Sequence, residues 1–291
     1  MSSFPTTQQP DFCTSIVANP DLSGRGIRVS IYLGAVISLI LSALVSPRRI
    51  RTLGEGSRYT LITSTALTIS AIIAWKTNGF SLFDGLIVTM LTSLMASWVV
   101  YNIGFLQYLG FTINFSGLLY FASTTYWGFQ VWLNPTFGLP LNGENCTANL
   151  DTIIVVLGMD ISPSNRSLRA FALFYFGLGA LGALWSLMNS IIWLTHYAGY
   201  IYIVDVTPTL FSWEDFAGFS KGMILSLKLI TVLPALGWTI YMIVTIEQMV
   251  ERNSVQDQLS NWTYGQTLSM LVLLQQIMTF FSVIKREDWI W

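Results

Sequence analysis

The chain has 291 residues, of which 53% are hydrophobic and only 10% charged, with 14 Lys and Arg against 15 Asp and Glu and a formal net charge of −1. A soluble domain carries about a quarter of its residues as charges, so an ordinary soluble enzyme is excluded, and the near-zero balance leaves no basic field for nucleic acid. One histidine, His196, and two cysteines, Cys13 and Cys146, are too few for a four-ligand zinc site.

In chain order, residues 1–26 form a polar tail rich in Ser, Thr, Pro and Gln without an apolar stretch of signal-peptide type, so the first span is expected to act as its own insertion signal. No charge falls between Arg28 and Arg48, between Asp84 and Glu144, or between Arg169 and Asp205. Uncharged runs of that length read as membrane spans, each needing about 17–25 helical residues. Seven are predicted, near 27–46, 58–75, 81–107, 110–133, 168–196, 222–248 and 264–284. The expected fold is therefore an all-α integral membrane bundle over 27–284, followed by a short tail at 285–291.

Orientation follows from the basic residues. With the N-terminus outside, Arg48, Arg49, Arg51, Arg58, Lys221, Lys285 and Arg286 lie on the cytoplasmic side and Arg25, Arg28, Lys76, Arg166, Arg169 and Arg252 on the other, a small positive-inside majority. Four crossings bring Cys13, in the tail, and Cys146, in the longest loop, to the same side. If that side is exoplasmic, a disulfide between them is allowed. The sequon Asn145-Cys146-Thr147 in the same loop is the expected glycosylation site. Together these features predict the N-terminus outside and the C-terminus inside, in the plasma membrane or the secretory pathway.

Inside the spans, small residues recur four apart: Gly34, Ser38 and Ser42, then Thr60, Ser64 and Thr68, then Gly85, Thr89, Ser93 and Ser97. Lipid tails are as apolar as leucine, so small residues and hydrogen bonds choose helix partners in a membrane. The same ridges read alternatively as a hydroxyl-lined cavity. Gly177, Gly179 and Gly182 spell G-x-G-x-x-G, but inside an apolar helix with no strand before it, which predicts close helix packing rather than dinucleotide binding. Tyr126, Trp127, Phe129 and Trp132 fall where an interfacial aromatic belt belongs, and Pro234 with Gly237 predicts a kink in the sixth span.

Ionisable groups are nearly absent from the spans. Lys228 lies close enough to the inner end of span six to snorkel, while Arg28, Asp84 and Glu247 map to the outer rim. The deep polar groups are neutral. Gln275 and Gln276 fall near mid-bilayer; adjacent helical residues point about 100° apart, so at least one faces another helix or a cavity. Asn189, between Ser186 and Ser190, lies in the inner half of span five. Gln275, Gln276, Asn189 and Lys228 are the candidate ligand or pore-lining residues, with interhelical hydrogen bonding as the competing role.

The segment Asn19-Pro20-Asp21-Leu22-Ser23-Gly24-Arg25-Gly26-Ile27-Arg28 leads straight into the first span. It resembles the opening of a group of uncharacterised fungal multispanning membrane proteins, in which an N-P-D-x-x-G-x-G-x-R segment precedes the first helix, and Tyr126-Trp127-Gly128-Phe129 followed by Cys146 is similar to a later stretch of that group. The resemblance implies a multispanning fold and supplies no catalytic residues. In physical terms, Pro20 and Asp21 suit a helix start, Gly24 and Gly26 let the tail lie close to the bundle, and Arg28 offers its fork to Asp21, Asp84 or Glu247. With a Cys13–Cys146 bond, this segment would cap the outer mouth.

Three functional classes fit. A channel or pore-forming subunit with a neutral polar lining leads, because the chain offers polar lining but little cytoplasmic surface for signalling. A receptor-like bundle binding a small or lipidic ligand is second. An integral membrane enzyme of terpene-cyclase type, using Asp84 and Glu247 as rim carboxylates, is third. No cofactor and no metal site is expected. The expected partners are membrane lipids and, for a channel, further copies of the chain.

Overall fold

A computed structural model describes residues 16–44, 50–77, 80–106, 110–134, 137, 151–197 and 221–285. It is helical almost throughout: α1 (Pro20–Ser23), α2 (Arg25–Leu44), α3 (Ile50–Thr77), α4 (Leu82–Leu106), α5 (Phe111–Leu133), α6 (Arg166–Tyr197), α7 (Lys221–Arg252), α8 (Gln256–Ser260) and α9 (Tyr264–Lys285). Each of the seven expected apolar segments is a helix, with most ends within two residues of expectation. The largest departure is α3, which starts eight residues early and continues through Arg51, Glu55 and Arg58.

By length and composition, three stretches among the described residues are long and apolar enough to cross a membrane: Pro20–Leu41, Arg166–Thr195 and Val232–Arg252. They fit a membrane protein. The described apolar part of α4, Leu82–Met95, is shorter, while α3 is diluted by charges and α5 and α9 by Thr, Ser, Asn and Gln. The surface agrees with a lipid environment. On α6, Phe171, Phe174, Leu178, Leu181, Leu184, Met188, Ile191 and Leu194 all point outward and exposed.

The core is built round α4. Leu82, Phe83, Leu86, Ile87, Val88, Leu91, Leu94 and Met95 are all buried, as expected of a helix that is apolar on every side, and α4 packs against α2, α3, α5 and α7. The closest helix pair is α5 with α6. The ring of Phe176 occupies the space that a Cβ on Gly128 would need, Thr125 sits over Gly179 and Phe121 over Gly182. The G-x-G-x-x-G string is therefore a packing ridge through its second and third glycines, whereas Gly177 meets nothing. Arg169 closes this pair by donating to the carbonyls of Trp132 (3.0 and 2.8 Å) and Leu133 (2.9 Å) at the end of α5, which are left free by the last turn of the helix.

Two features depart from the expectation. First, the connection before α6 contains a two-stranded antiparallel hairpin, β1 (Ile154–Val156) and β2 (Met159–Ile161), paired Ile154 to Ile161 and Val156 to Met159. Its turn residues Leu157 and Gly158 both have positive φ, 51° and 80°, as a two-residue type I′ turn requires. The Asn253 amide fastens the hairpin to the end of α7, accepting from the Ile153 N–H (2.9 Å) and donating to its carbonyl (2.8 Å), and Arg252 pairs with Asp160. Second, Trp127 and Trp132 are buried rather than facing lipid. Trp127 packs edge-on against Trp75, Phe80 and Phe137, with centroids 5.5–6.4 Å apart. Tyr126 is the member of the expected belt that is exposed.

Candidate functional site

The polar groups gather in two places, a cap at the end of the bundle where α2 begins and a seam in the interior. The cap is the N-P-D-x-x-G-x-G-x-R segment. Asn19 starts α1: its side chain accepts from the Asp21 N–H (2.9 Å), and its carbonyl accepts from the N–H groups of Leu22 and Ser23. The N–H of Asn19 donates to both carboxylate oxygens of Asp84 (3.1 and 3.0 Å). Asp84 also accepts from the hydroxyls of Ser23 (2.6 Å) and Ser81 (2.7 Å). Only 1% of Asp84 is exposed, and the donors to it are neutral; its place in the first turn of α4 adds the favourable end of a helix dipole.

The rest of the segment is held equally closely. Gly26 donates to Gln266 Oε1 (2.8 Å), while Gln266 Nε2 donates to the carbonyls of Asn261 (2.8 Å) and Pro20 (3.3 Å). A Cβ on Gly26 would come within 2.8 Å of the Gln266 Cβ, so glycine here is a matter of contact. Asp21 accepts from the Gly265 N–H (3.3 Å). One residue before Asn19, the Gln258 amide accepts from Ala18 N–H and donates to the Ile16 carbonyl, both at 2.9 Å.

Of the three acids open to Arg28, Glu247 is its partner. Nε lies 2.8 Å and Nη2 3.3 Å from the Glu247 oxygens, and Nη1 donates to the Ser23 carbonyl (2.6 Å). The Tyr32 hydroxyl donates to the same carboxylate (2.8 Å). Residues 16–28 thus form a strap tied to α4, α7, α8 and α9. Cys13, Cys146 and Asn145 lie outside the described residues.

The seam runs between α2, α3 and α9. Gln276, buried, donates through Nε2 to the Gly34 carbonyl (3.0 Å) and the Ser38 hydroxyl (2.8 Å), and Ser38 shares a 3.0 Å hydrogen bond with Thr60. One turn further along α3, Ser64 and then Thr68 continue this face, both fully buried. Thr68 bonds back to its own helix, donating to the Ser64 carbonyl (2.9 Å), as hydroxyls in helices commonly do. Gln276 Oε1 and Ser64 Oγ are buried with no hydrogen-bond partner among the described residues.

The expected lining residues are not brought together. Gln276 faces the seam and Gln275 faces outward. Asn189 is buried on α6 and donates to the Trp185 carbonyl of its own helix (3.0 Å). Lys228 lies on α7, with its side chain outside the described residues. Asp84 and Glu247, the rim pair of the enzyme reading, are each engaged by the strap. The reading of residue types passed over Gln258, Gln266 and Asn253, whose amides each bond backbone on a separate segment. The only signal for them is a polar side chain beside an apolar helix end. No protein family, no curated protein and no solved structure matches the chain.

Proposed function

We propose that the chain is a seven-span membrane protein, amino end outside, that forms a channel-like path with a neutral polar lining along the α2–α3–α9 seam. One observation carries the reading: Gln276 Oε1 and Ser64 Oγ are buried in that seam without partners among the described residues. An orphan polar atom away from water costs about 1–3 kcal/mol, and a water entering the seam relieves it. Ser38 and Thr60 extend the polar surface along the same face. A lining without charge suits water and small uncharged polar solutes, since it holds no side-chain charge to select an ion by sign. The strap lies at the outer end of α2, where it would govern entry.

The test is solute permeation in liposomes containing the purified chain. Water or glycerol should equilibrate faster than in protein-free liposomes, and Gln276→Leu and Ser64→Ala should slow it while the thermal midpoint shows the fold retained. Permeation no faster than in empty liposomes would remove the channel reading.

A further inference from the structure

We infer that the outward face of α9 is a self-association surface, on which two copies of this chain meet through Gln275. The inward stripe of α9, Gln266, Leu273 and Gln276, is buried against the bundle. Its outward stripe comprises Leu268, Leu271, Leu274, Met278 and Phe281, all exposed, and Gln275 lies among them. The apolar members suit lipid. Gln275 does not: it is eleven residues into the helix, about 16 Å from the outer end at 1.5 Å per residue, close to the middle of a hydrocarbon core about 30 Å thick. From there a glutamine side chain is too short to reach either headgroup layer, and its amide has no hydrogen-bond partner among the described residues. Lipid offers it none.

The occupant that fits is a second copy. Two molecules of one topology insert in the same direction, so a two-fold axis between them runs along the membrane normal and each residue meets its own counterpart at the same depth. An amide carries both donor and acceptor groups, so Gln275 and its symmetry mate satisfy each other reciprocally. Leu271, Leu274 and Met278 on neighbouring turns supply the packed surround. The inference rests on α9 spanning the membrane as proposed above, but not on the channel path, which concerns the opposite face of the same helix.

The experiment labels two populations of the full chain with donor and acceptor fluorophores and measures energy transfer in liposomes as the protein-to-lipid ratio is varied. Wild type should associate in a ratio-dependent way; Gln275→Leu should weaken association at least about fivefold, the scale of one interhelical amide bond in a membrane, and Gln275→Asn should restore most of it. Because Gln275 is exposed in the single chain, the thermal midpoint of the leucine variant should match wild type at a dilution in detergent where both are monomeric, which separates lost association from lost folding. Wild type remaining monomeric at every ratio, or Gln275→Leu associating as wild type does, would overturn the inference. Association of Gln275→Leu that is lost instead on replacing residues of the α6 outer face would do the same, by placing the contact elsewhere.

Discussion

Asp84 is a buried carboxylate with neutral donors converging on it, and its replacement separates charge from hydrogen bonding. Asp84→Ala strands the Asn19 N–H and two serine hydroxyls in a dry site, so the thermal stability of the purified protein should fall by at least about 2 kcal/mol. Asp84→Asn should cost less, since the hydroxyls of Ser23 and Ser81 can rotate to meet an amide. Arg28 poses a different question of magnitude. Its own side chain is 6% exposed but that of Glu247 is 48% exposed, so the ion pair itself is screened and contributes little. The larger share comes from the bond to the buried Ser23 carbonyl. Arg28→Lys, which cannot hold the fork, should destabilise by about 1–2 kcal/mol, whereas Glu247→Gln should change the thermal midpoint much less. Leu157 points to a gain. It holds a left-handed backbone at 74% exposure, which costs a leucine about 1 kcal/mol relative to an asparagine there, so Leu157→Asn should raise the thermal midpoint.

Between elements, the α5–α6 contact gives an internally controlled test. Gly128→Ala and Gly182→Ala drive a methyl group into the rings of Phe176 and Phe121 and should each cost about 1–3 kcal/mol by overpacking. Gly177→Ala, one turn away and facing open space, should be neutral or stabilising by up to about 1 kcal/mol through helix propensity. Equal losses at all three positions in thermal unfolding would contradict the packing account. This scale also shows how far the sequence can be read. Most helix positions were legible because uncharged runs bounded by Arg28, Arg48, Asp84 and Arg169 leave little choice of where an apolar helix lies, α3 with its charged first turns being the exception. The hairpin was not, because three-residue strands carry no measurable alternation. The face that each helix turns inward was only half legible. Spacing separates Gln275 from Gln276 by about 100° but does not say which meets α2, and it placed Trp127 at the correct end of α5 without revealing that the ring points into the core. Those outcomes depend on neighbouring helices that a local window does not contain.

For the molecule as a whole, the strap makes this end of the bundle a shared structure of α2, α4, α7, α8 and α9 rather than a set of separate loops. Gln258→Ala and Gln266→Ala remove ties at different points along it, so each should increase protease cleavage within residues 16–28 while leaving the helix content measured by circular dichroism unchanged. The combined variant should be cleaved faster than either. If cleavage does not change, the amide ties are not what holds the strap. Asn19 meets α4, Asp21 and Gly26 both meet the start of α9, and Arg28 meets α7, so each of these residue types is used in a contact of its own.

The strap also sets an order of events in biosynthesis. Ala18 and Gly26 bond to Gln258 and Gln266, each 240 positions later in the chain. A ribosome adding about 5–20 residues per second therefore makes the early segment many seconds before its anchors exist. During that interval the N–H groups of Ala18 and Gly26 and the carbonyls of Ile16 and Pro20 lack these partners and are left to water or to a chaperone. Closure of the strap is therefore a late step of assembly, and a nascent chain stalled before Gln258 should be open to protease within residues 16–28, at a site that the finished protein conceals.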